Sequence, residues 1–278
     1  MPSAPPPTCS LLISTYNWPD ALRLSLLSAF RQSQLPNEII ICDDGSRDDT
    51  RQLIDQFRAD SPVPVHHLWQ PDAGFQVARM RNRGIGRSTS DYILQIDGDI
   101  ILHRHYVRDQ VANARPGCFF SGNRYYLSPA ESVRLLSQPD YRPRFVLNTA
   151  SWRRLWLPPL QGLMRRFYHW PDGYLYTTGC NMAFWRQDLL LANGYDESFT
   201  GWGWEDTDLA LRLMNRGIQM QFLRFGAIQF HLHHHEASRN SRNANYARAM
   251  ATKTQGFVRC EQGVHQYLSG SVSLSVPV

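Results

Sequence analysis

The chain has 278 residues, 42% of them hydrophobic and 19% charged, with a formal net charge of +5. Those proportions describe an ordinary globular protein and exclude a disordered or fibrous one. No uncharged apolar run of about 18 residues occurs, which argues against a membrane span.

The first eight residues are proline-rich and read as disordered. No basic segment followed by an apolar core stands there, so no secretory signal is expected. The five cysteines are scattered and form no Cys-x-x-Cys pair, which points to reduced thiols in the cytoplasm and away from a zinc ribbon. The positive charge rests on twenty-eight arginines and a single lysine, Lys253. A modest basic excess suits an anionic ligand, an acidic membrane surface or nucleic acid, and does not choose among them.

Residues 9–14 are apolar and open the fold as a strand, followed by Thr15-Tyr16-Asn17. Asp20 or a neighbour can cap a helix whose Leu22, Leu26, Leu27 and Phe30 recur at helical spacing. A second apolar strand at 38–42 ends in Asp43-Asp44-Gly45-Ser46. Ser46 and Asp49 make a capping box for the next helix, which buries Leu53, Ile54 and Phe57. A third strand at 63–69, an arginine-rich helix at 77–87 and a fourth strand at 92–96 follow. The last ends in Asp97-Gly98-Asp99. Such alternation calls for a mostly parallel sheet with helices on both faces, an α/β fold whose ligands bind beyond the carboxyl ends of the strands. All three polar clusters lie at those ends.

Side chains two apart on an extended segment point to one side, so Asp97 and Asp99 can face a single spot. A hard divalent cation bound by oxygen relieves the repulsion between two such carboxylates. Asp-Gly is equally a turn signal, and on these residues alone both readings stand.

After a helix at 105–114, residues 128–172 form an irregular middle. There Arg142, Arg144, Arg153, Arg154, Arg165 and Arg166 interleave with Trp152, Trp156, Leu160, Leu163 and Phe167. This pattern fits either an amphipathic segment on anionic lipid or a packed lid. Further on stand a strand-like run at 178–184, then Gly201-Trp202-Gly203-Trp204-Glu205-Asp206. A helix with Leu209 and Leu213 inward follows, then a mostly extended stretch closing in a row of histidines at 231–235. The polar tail, 237–278, is mute about chemistry.

Taken in order, several pieces resemble the family-2 inverting glycosyltransferases of GT-A fold, in particular the branch of bacterial chondroitin polymerase. They are Ser14-Thr15-Tyr16-Asn17, Asp43-Asp44-Gly45-Ser46, Trp69-Gln70-x-Asp72-x-Gly74-Phe75, Arg81-Asn82, Asp97-Gly98-Asp99, Gly179-Cys180-Asn181 and Gly201-Trp202-Gly203-Trp204-Glu205-Asp206. The resemblance implies a single catalytic domain with a Rossmann-like sheet. Residues 9–127 would bind the nucleotide sugar, 128–173 would be an insertion and 174–236 would bind acceptor and catalyse.

It also implies roles. Tyr16 would stack on uracil, with the Ser14 main chain, Thr15 and Asp44 helping to hold the base. Arg81 would contact the diphosphate, Asp97 the ribose or the metal, and Asp99 the metal (Mn2+ or Mg2+). His231 is the expected histidine ligand, with His233 on the same face as the alternative. Asp206 would be the catalytic base, with Glu205 on acceptor hydroxyls and Asn181, Trp202 and Trp204 lining the acceptor site. The implied reaction is inverting transfer of a hexosyl or N-acetylhexosaminyl group. A nucleoside-diphosphate sugar, foremost a UDP-sugar, is the donor and a glycan or lipid-linked glycan hydroxyl the acceptor. The expected setting is capsule or lipopolysaccharide synthesis in the cytoplasm, with peripheral contact on the inner membrane face. A single transferase domain favours one linkage over a processive copolymer. The competing class is a non-catalytic nucleotide-sugar-binding module or synthase scaffold. A nucleic-acid partner is not expected, because arginines and aromatics share no single reader element.

Overall fold

The computed structural model describes residues 5–122, 124–138, 156–167, 173–234 and 242–268. Four strands, β1 (Cys9–Thr15), β2 (Glu38–Asp43), β3 (Val65–Trp69) and β4 (Tyr92–Asp97), alternate with three helices, α1 (Pro19–Phe30), α2 (Asp48–Ala59) and α3 (Val77–Arg87). The parallel pairs are β3 with β2, β2 with β1, and β1 with β4. Period-two alternation gives each strand two buried faces. Leu11, Ile13, Ile39, Ile41 and Leu94 pack with Leu22 and Leu26 of α1 and Ile54 of α2. Leu12, Ile40, Cys42 and Ile93 pack on the opposite face with Ala78, Met80 and Ile85 of α3.

The chain then adds β5 (Ile100–Leu102), α4 (Tyr106–Asn113), β6 (Cys118–Ser121), β7 (Tyr125–Tyr126), α5 (Pro129–Ser137) and α6 (Pro158–Phe167). After a short 3-10 turn at Gly173–Tyr176 come β8 (Met182–Trp185), α7 (Arg186–Leu191), α8 (Glu205–Asn215), β9 (Gln219–Phe222), β10 (Gln229–His231) and α9 (Arg242–Gln255). The main sheet has the order β3-β2-β1-β4-β8-β6-β9, and a small sheet has the order β5-β10-β7. Within the large sheet only β8 runs against its neighbours. Its amino end therefore lies where the other strands present their carboxyl ends, and Gly179 and Cys180 arrive beside Asp97. The mixed α/β architecture with a mostly parallel sheet is the one expected from the sequence.

Several local expectations change. The Ser46–Asp49 capping box is not made. Ser46 Oγ accepts from the Asn17 backbone N–H at 2.8 Å, and α2 starts after Arg47 without a side-chain cap. A reciprocal box does form at Ser128 and Glu131, opening α5. Asp20 sits inside the first turn of α1 and caps nothing; Pro19 sets that start. Thr8, assigned to the disordered lead-in, is bonded to Asp91 through both backbone and side chain.

The tail is not idle either. Helix α9 packs along α8, and a 3-10 turn at Val264–Tyr267 packs on α3. Of the arginine-aromatic middle, residues 139–155 and 168–172 lie outside the described residues, as do the side chains of Arg165, Arg166 and Phe167. Trp156 turns inward, donating from Nε1 to Asp109 at 2.9 Å beneath the Arg108 guanidinium, whereas Leu160 and Leu163 are exposed. Among the described residues no helix is long and apolar enough to cross a membrane.

Candidate active site

The three strand-end clusters are stitched together by backbone. Asp44 N–H donates to Thr15 O (3.0 Å) and Gly98 N–H to Ser14 O (2.7 Å). A Cβ on Gly98 would stand 3.0 Å from Thr15 Oγ1 and 3.1 Å from Ser14 O, so a larger residue would push the Asp97–Asp99 loop a few tenths of an ångström off β1. These clusters line one cleft of about 940 Å³, which also takes in Tyr16, Arg81, Asp97, Asp99, Arg124, Gly179, Trp202, Trp204, Glu205, Asp206 and His231.

At the cleft mouth Tyr16 presents a half-exposed ring whose hydroxyl donates to Asp72 at 2.9 Å. The two neighbouring aspartates separate by partner. Asp43 is fully buried and accepts from Ser46 N–H and His67, which makes it part of the turn. Asp44 lines the cleft and accepts from Gln70 Nε2 (2.6 Å) and Gln76 N–H (2.7 Å). Burial nevertheless raises its pKa above the ordinary aspartate value.

One wall holds a ligand trio. The side-chain atoms of Asp99, His231 and His234 lie within 4.8 Å of one another. His234 Nε2 is 3.1 Å and His231 Nε2 3.5 Å from Asp99 Oδ2. His231 Nδ1 donates to the Leu232 carbonyl at 2.7 Å, which fixes the tautomer and leaves Nε2 as a lone pair facing the carboxylate. Asp99 Oδ1 is buried without a hydrogen-bond partner. Two imidazoles beside one carboxylate oxygen, with the other carboxylate oxygen unsatisfied, form a set that could hold a divalent cation. His231, the expected ligand, is in this group together with His234, which the sequence alone does not single out; His233, its alternative, lines the same cleft outside the group. The extended segment ends at His231, so alternation no longer decides which side chain points inward, and His233 is anchored by its N–H on Ser132.

The opposite wall is the first turn of α8. Gly203 and Trp204 have φ of 102° and 74°, a left-handed reversal that turns Glu205 and Asp206 toward Arg81. Arg81, 3% exposed, donates to Asp206 Oδ1 (2.9 Å), Glu205 Oε1 (3.3 Å) and Asp97 Oδ1 (3.2 Å). Burial works against its charge, but Asp206, Asp97 and Glu205 hold the guanidinium protonated well above its ordinary range. One cation cannot balance three carboxylates. Burial, reinforced by Asp206, pushes the Glu205 carboxyl up to about 8, and Asp97 is likewise raised by burial. Of the two adjacent acids in this turn, burial thus favours the protonated form of Glu205.

Two residues expected in the site are engaged by the protein itself. Arg81, expected at the diphosphate, directs both terminal nitrogens at protein carboxylates. Arg124 is the other guanidinium on the cleft lining. It lies 3.6 Å from Cys180 Sγ and 5.0 Å over the Tyr126 ring, with no carboxylate partner among the described residues. Asn181, expected on the acceptor side, is fully buried below the cleft. Its side chain accepts from Tyr106 and Gln110 and donates to Ala227 O.

The chain matches the family model described as glycosyl transferase family 2 over residues 10–188, and a second described as the N-terminal domain of galactosyltransferase over 163–236. It belongs to glycosyl transferase family 2. Validoxylamine A glucosyltransferase of Streptomyces hygroscopicus subsp. limoneus is 29% identical over 249 residues, covering 84% of this chain and 54% of that protein. Escherichia coli chondroitin synthase is 25% identical over 244 residues, covering 80% and 34%. The chain therefore spans about half or less of these relatives' own lengths.

Among solved structures, S. aureus TarS 1-349 in complex with UDP superposes with a TM-score of 0.61 at 14% identity, over 94% of this chain and 68% of that one. The Pyrobaculum calidifontis mannosyltransferase PcManGT in complex with GDP-Man and Mn2+ gives 0.58 at 15% identity, over 95% and 68%. The fold is GT-A. The residues sequence reasoning missed in this family-2 site are Tyr195 and Gln95, which bracket Asp206 from below, and Asn245. Asn245 Nδ2 donates to Thr200 O and Gly203 O and so braces the tryptophan loop. No motif marks them.

Proposed function

We propose that this protein is a glycosyltransferase that moves a sugar from a nucleoside diphosphate, foremost a UDP-sugar, to a glycan hydroxyl with inversion, in the making of a bacterial surface polysaccharide. The observation that carries this reading is one cleft with an acid-histidine trio on one wall and Asp206 on the other, joined by Arg81 across Asp97. Tyr16 offers its face to the base, and Asp44 accepts from a ring N–H in exchange for the donors it now holds. Asp99, His231 and His234 would hold a divalent cation. Bound there, it supplies charge neutralisation for the departing diphosphate. Arg124 supplies further positive charge.

Asp206 takes the proton of the acceptor hydroxyl while that oxygen bonds to the anomeric carbon. The carbon–oxygen bond to the diphosphate breaks with its electron pair on the leaving group. An alcohol is too weak an acid to lose its proton beforehand, so transfer and attack are concerted. Trp202 and Trp204 flank the approach of the acceptor ring. Support for a polysaccharide setting comes from the chondroitin synthase relative, and for the donor class from structural neighbours that hold UDP and GDP-Man.

A panel of UDP-sugars with manganese, run by thermal shift and turnover on wild type and Asp206→Asn, tests the reading. The substitution should leave donor binding intact and lower turnover by about 10²–10⁴-fold. Equal turnover in both would end it.

A further inference from the structure

The two oxygens of Asp206 have different surroundings. Oδ1 receives Arg81 Nη1 at 2.9 Å and the Tyr195 hydroxyl at 3.1 Å. Oδ2 has no hydrogen-bond partner among the described residues, and it sits over the Cα of Gly179, where any Cβ would collide with it. One oxygen is anchored and the other faces the open cleft.

The anchor has an unusual arrangement. Tyr195 is fully buried, its backbone clamped to α3 by a two-way pairing. Its N–H donates to Asn82 Oδ1 (2.7 Å), and Asn82 Nδ2 donates to its carbonyl (2.8 Å). The Arg81 guanidinium lies 5.3 Å over its ring. The hydroxyl is also 2.7 Å from Gln95 Oε1. The orientation of Gln95 is settled by its Nε2, which donates to the Gly179 carbonyl at 2.6 Å, so the oxygen must face Tyr195 as an acceptor. A phenol carries one proton, and here it has two acceptors. Burial, reinforced by Asp206, keeps that phenol protonated.

We infer that Tyr195 and Gln95 form a one-proton relay that positions Asp206 with Oδ2 toward the acceptor and adjusts its basicity as the reaction runs. The inference rests on Asp206 being the base. While Asp206 is ionised, the Tyr195 proton leans to Oδ1. Once Oδ2 has taken the acceptor's proton, the Tyr195 proton swings to Gln95. The bond lost on neutralising the carboxylate is recovered at the amide, so the anchor holds the base without over-stabilising its charge. Arg81, Asp97 and Glu205 are the other charged or titratable groups facing Asp206, and the relay leaves each unchanged.

Tyr195→Phe and Gln95→Met separate this role from mere packing, because they act on the two ends of one proton. Turnover is read across pH with the donor that the panel selects, and affinity is read with UDP and manganese. Tyr195→Phe removes a donor from the ionised carboxylate. Its kcat should fall roughly ten-fold with UDP affinity kept within about two-fold, and the acidic limb of its rate profile should move to higher pH. Gln95→Met leaves the hydroxyl only Asp206 to serve, so its acidic limb should move to lower pH. Limbs that stay at the wild-type position in both variants, or move the same way, would overturn the relay while leaving an inactive Asp206→Asn to uphold the base. Loss of UDP affinity in step with kcat would do the same. Turnover surviving in Asp206→Asn would overturn the base and the relay together.

Discussion

The two walls of the cleft are built differently. The donor wall consists mainly of strand ends and their short loops, Ser14–Tyr16, Asp44 and Asp97–Asp99, joined by backbone bonds within the first hundred residues, with His231 and His234 added from later in the chain. The acceptor wall borrows support from far along the chain. Asn245 holds the tryptophan loop, Thr252 Oγ1 donates to Asp208 at 2.6 Å, and Tyr267 donates to Glu197 at 2.9 Å. A sheet edge fixes the geometry of whatever sits on it. A loop followed by a helix needs external struts, so the two walls should fail in different ways.

The largest effect is expected from the deepest strut. Arg212 is 1% exposed, donates from Nε to Asp208 (2.8 Å), and donates from Nη1 to the carbonyls of Ala192 and Gly194 (2.7 Å each). Arg212→Met leaves Asp208 buried and unpaired, and denaturant unfolding should show a loss of about 3–5 kcal/mol. A loss near zero would mean that the acceptor wall does not depend on this pair. On the donor wall, Asp99→Asn should abolish the manganese-induced thermal shift. His234→Ala should weaken manganese affinity about 10–100-fold, and His233→Ala should leave it unchanged. If His233→Ala did the damage instead, the trio would be misassigned. Next comes Asn245→Ala, which frees two loop carbonyls. The acceptor KM should rise about ten-fold with donor affinity intact, in keeping with a loss of about 1–2 kcal/mol in loop order. Glu205→Gln gives the change most dependent on pH. Because burial pushes the native carboxyl up to about 8 from an ordinary glutamate value of 4.5, the folded state holds a proton that the unfolded state releases. Stability therefore falls as pH rises through that window. Thermal melts of wild type and Glu205→Gln should agree below about pH 4 and separate toward pH 8, with the variant higher.

The same contrast explains what could be read in advance. Strands, helices and the three strand-end clusters follow from period-two and helical spacing, and Asp97, Asp99, Glu205 and Asp206 line the cleft that those elements frame. Side-chain direction beyond a strand end does not follow, which is why His234 beside His231 could not be read in advance. Nor does competition for a charged group. Arg81 sits where a diphosphate contact was expected, yet three carboxylates far away in sequence occupy it. Asn181 belongs to a motif but points down, because β8 runs backwards and its entry turn is pinned by Tyr106 and Gln110. The struts in α9 and the buried Tyr195 carry no spacing signal, since each acts through a single long-range contact.

Trp204 has one more implication. Its backbone conformation disfavours a large side chain by about 1–2 kcal/mol, and its ring rests edge-on against Tyr246 of α9 at 4.8 Å. A change to glycine at 204 alone would relieve the backbone and strand its companion, while a change at 246 alone would leave a disfavoured tryptophan without support. Libraries that randomise 204 and 246 together should therefore recover stable variants that single-site scans miss.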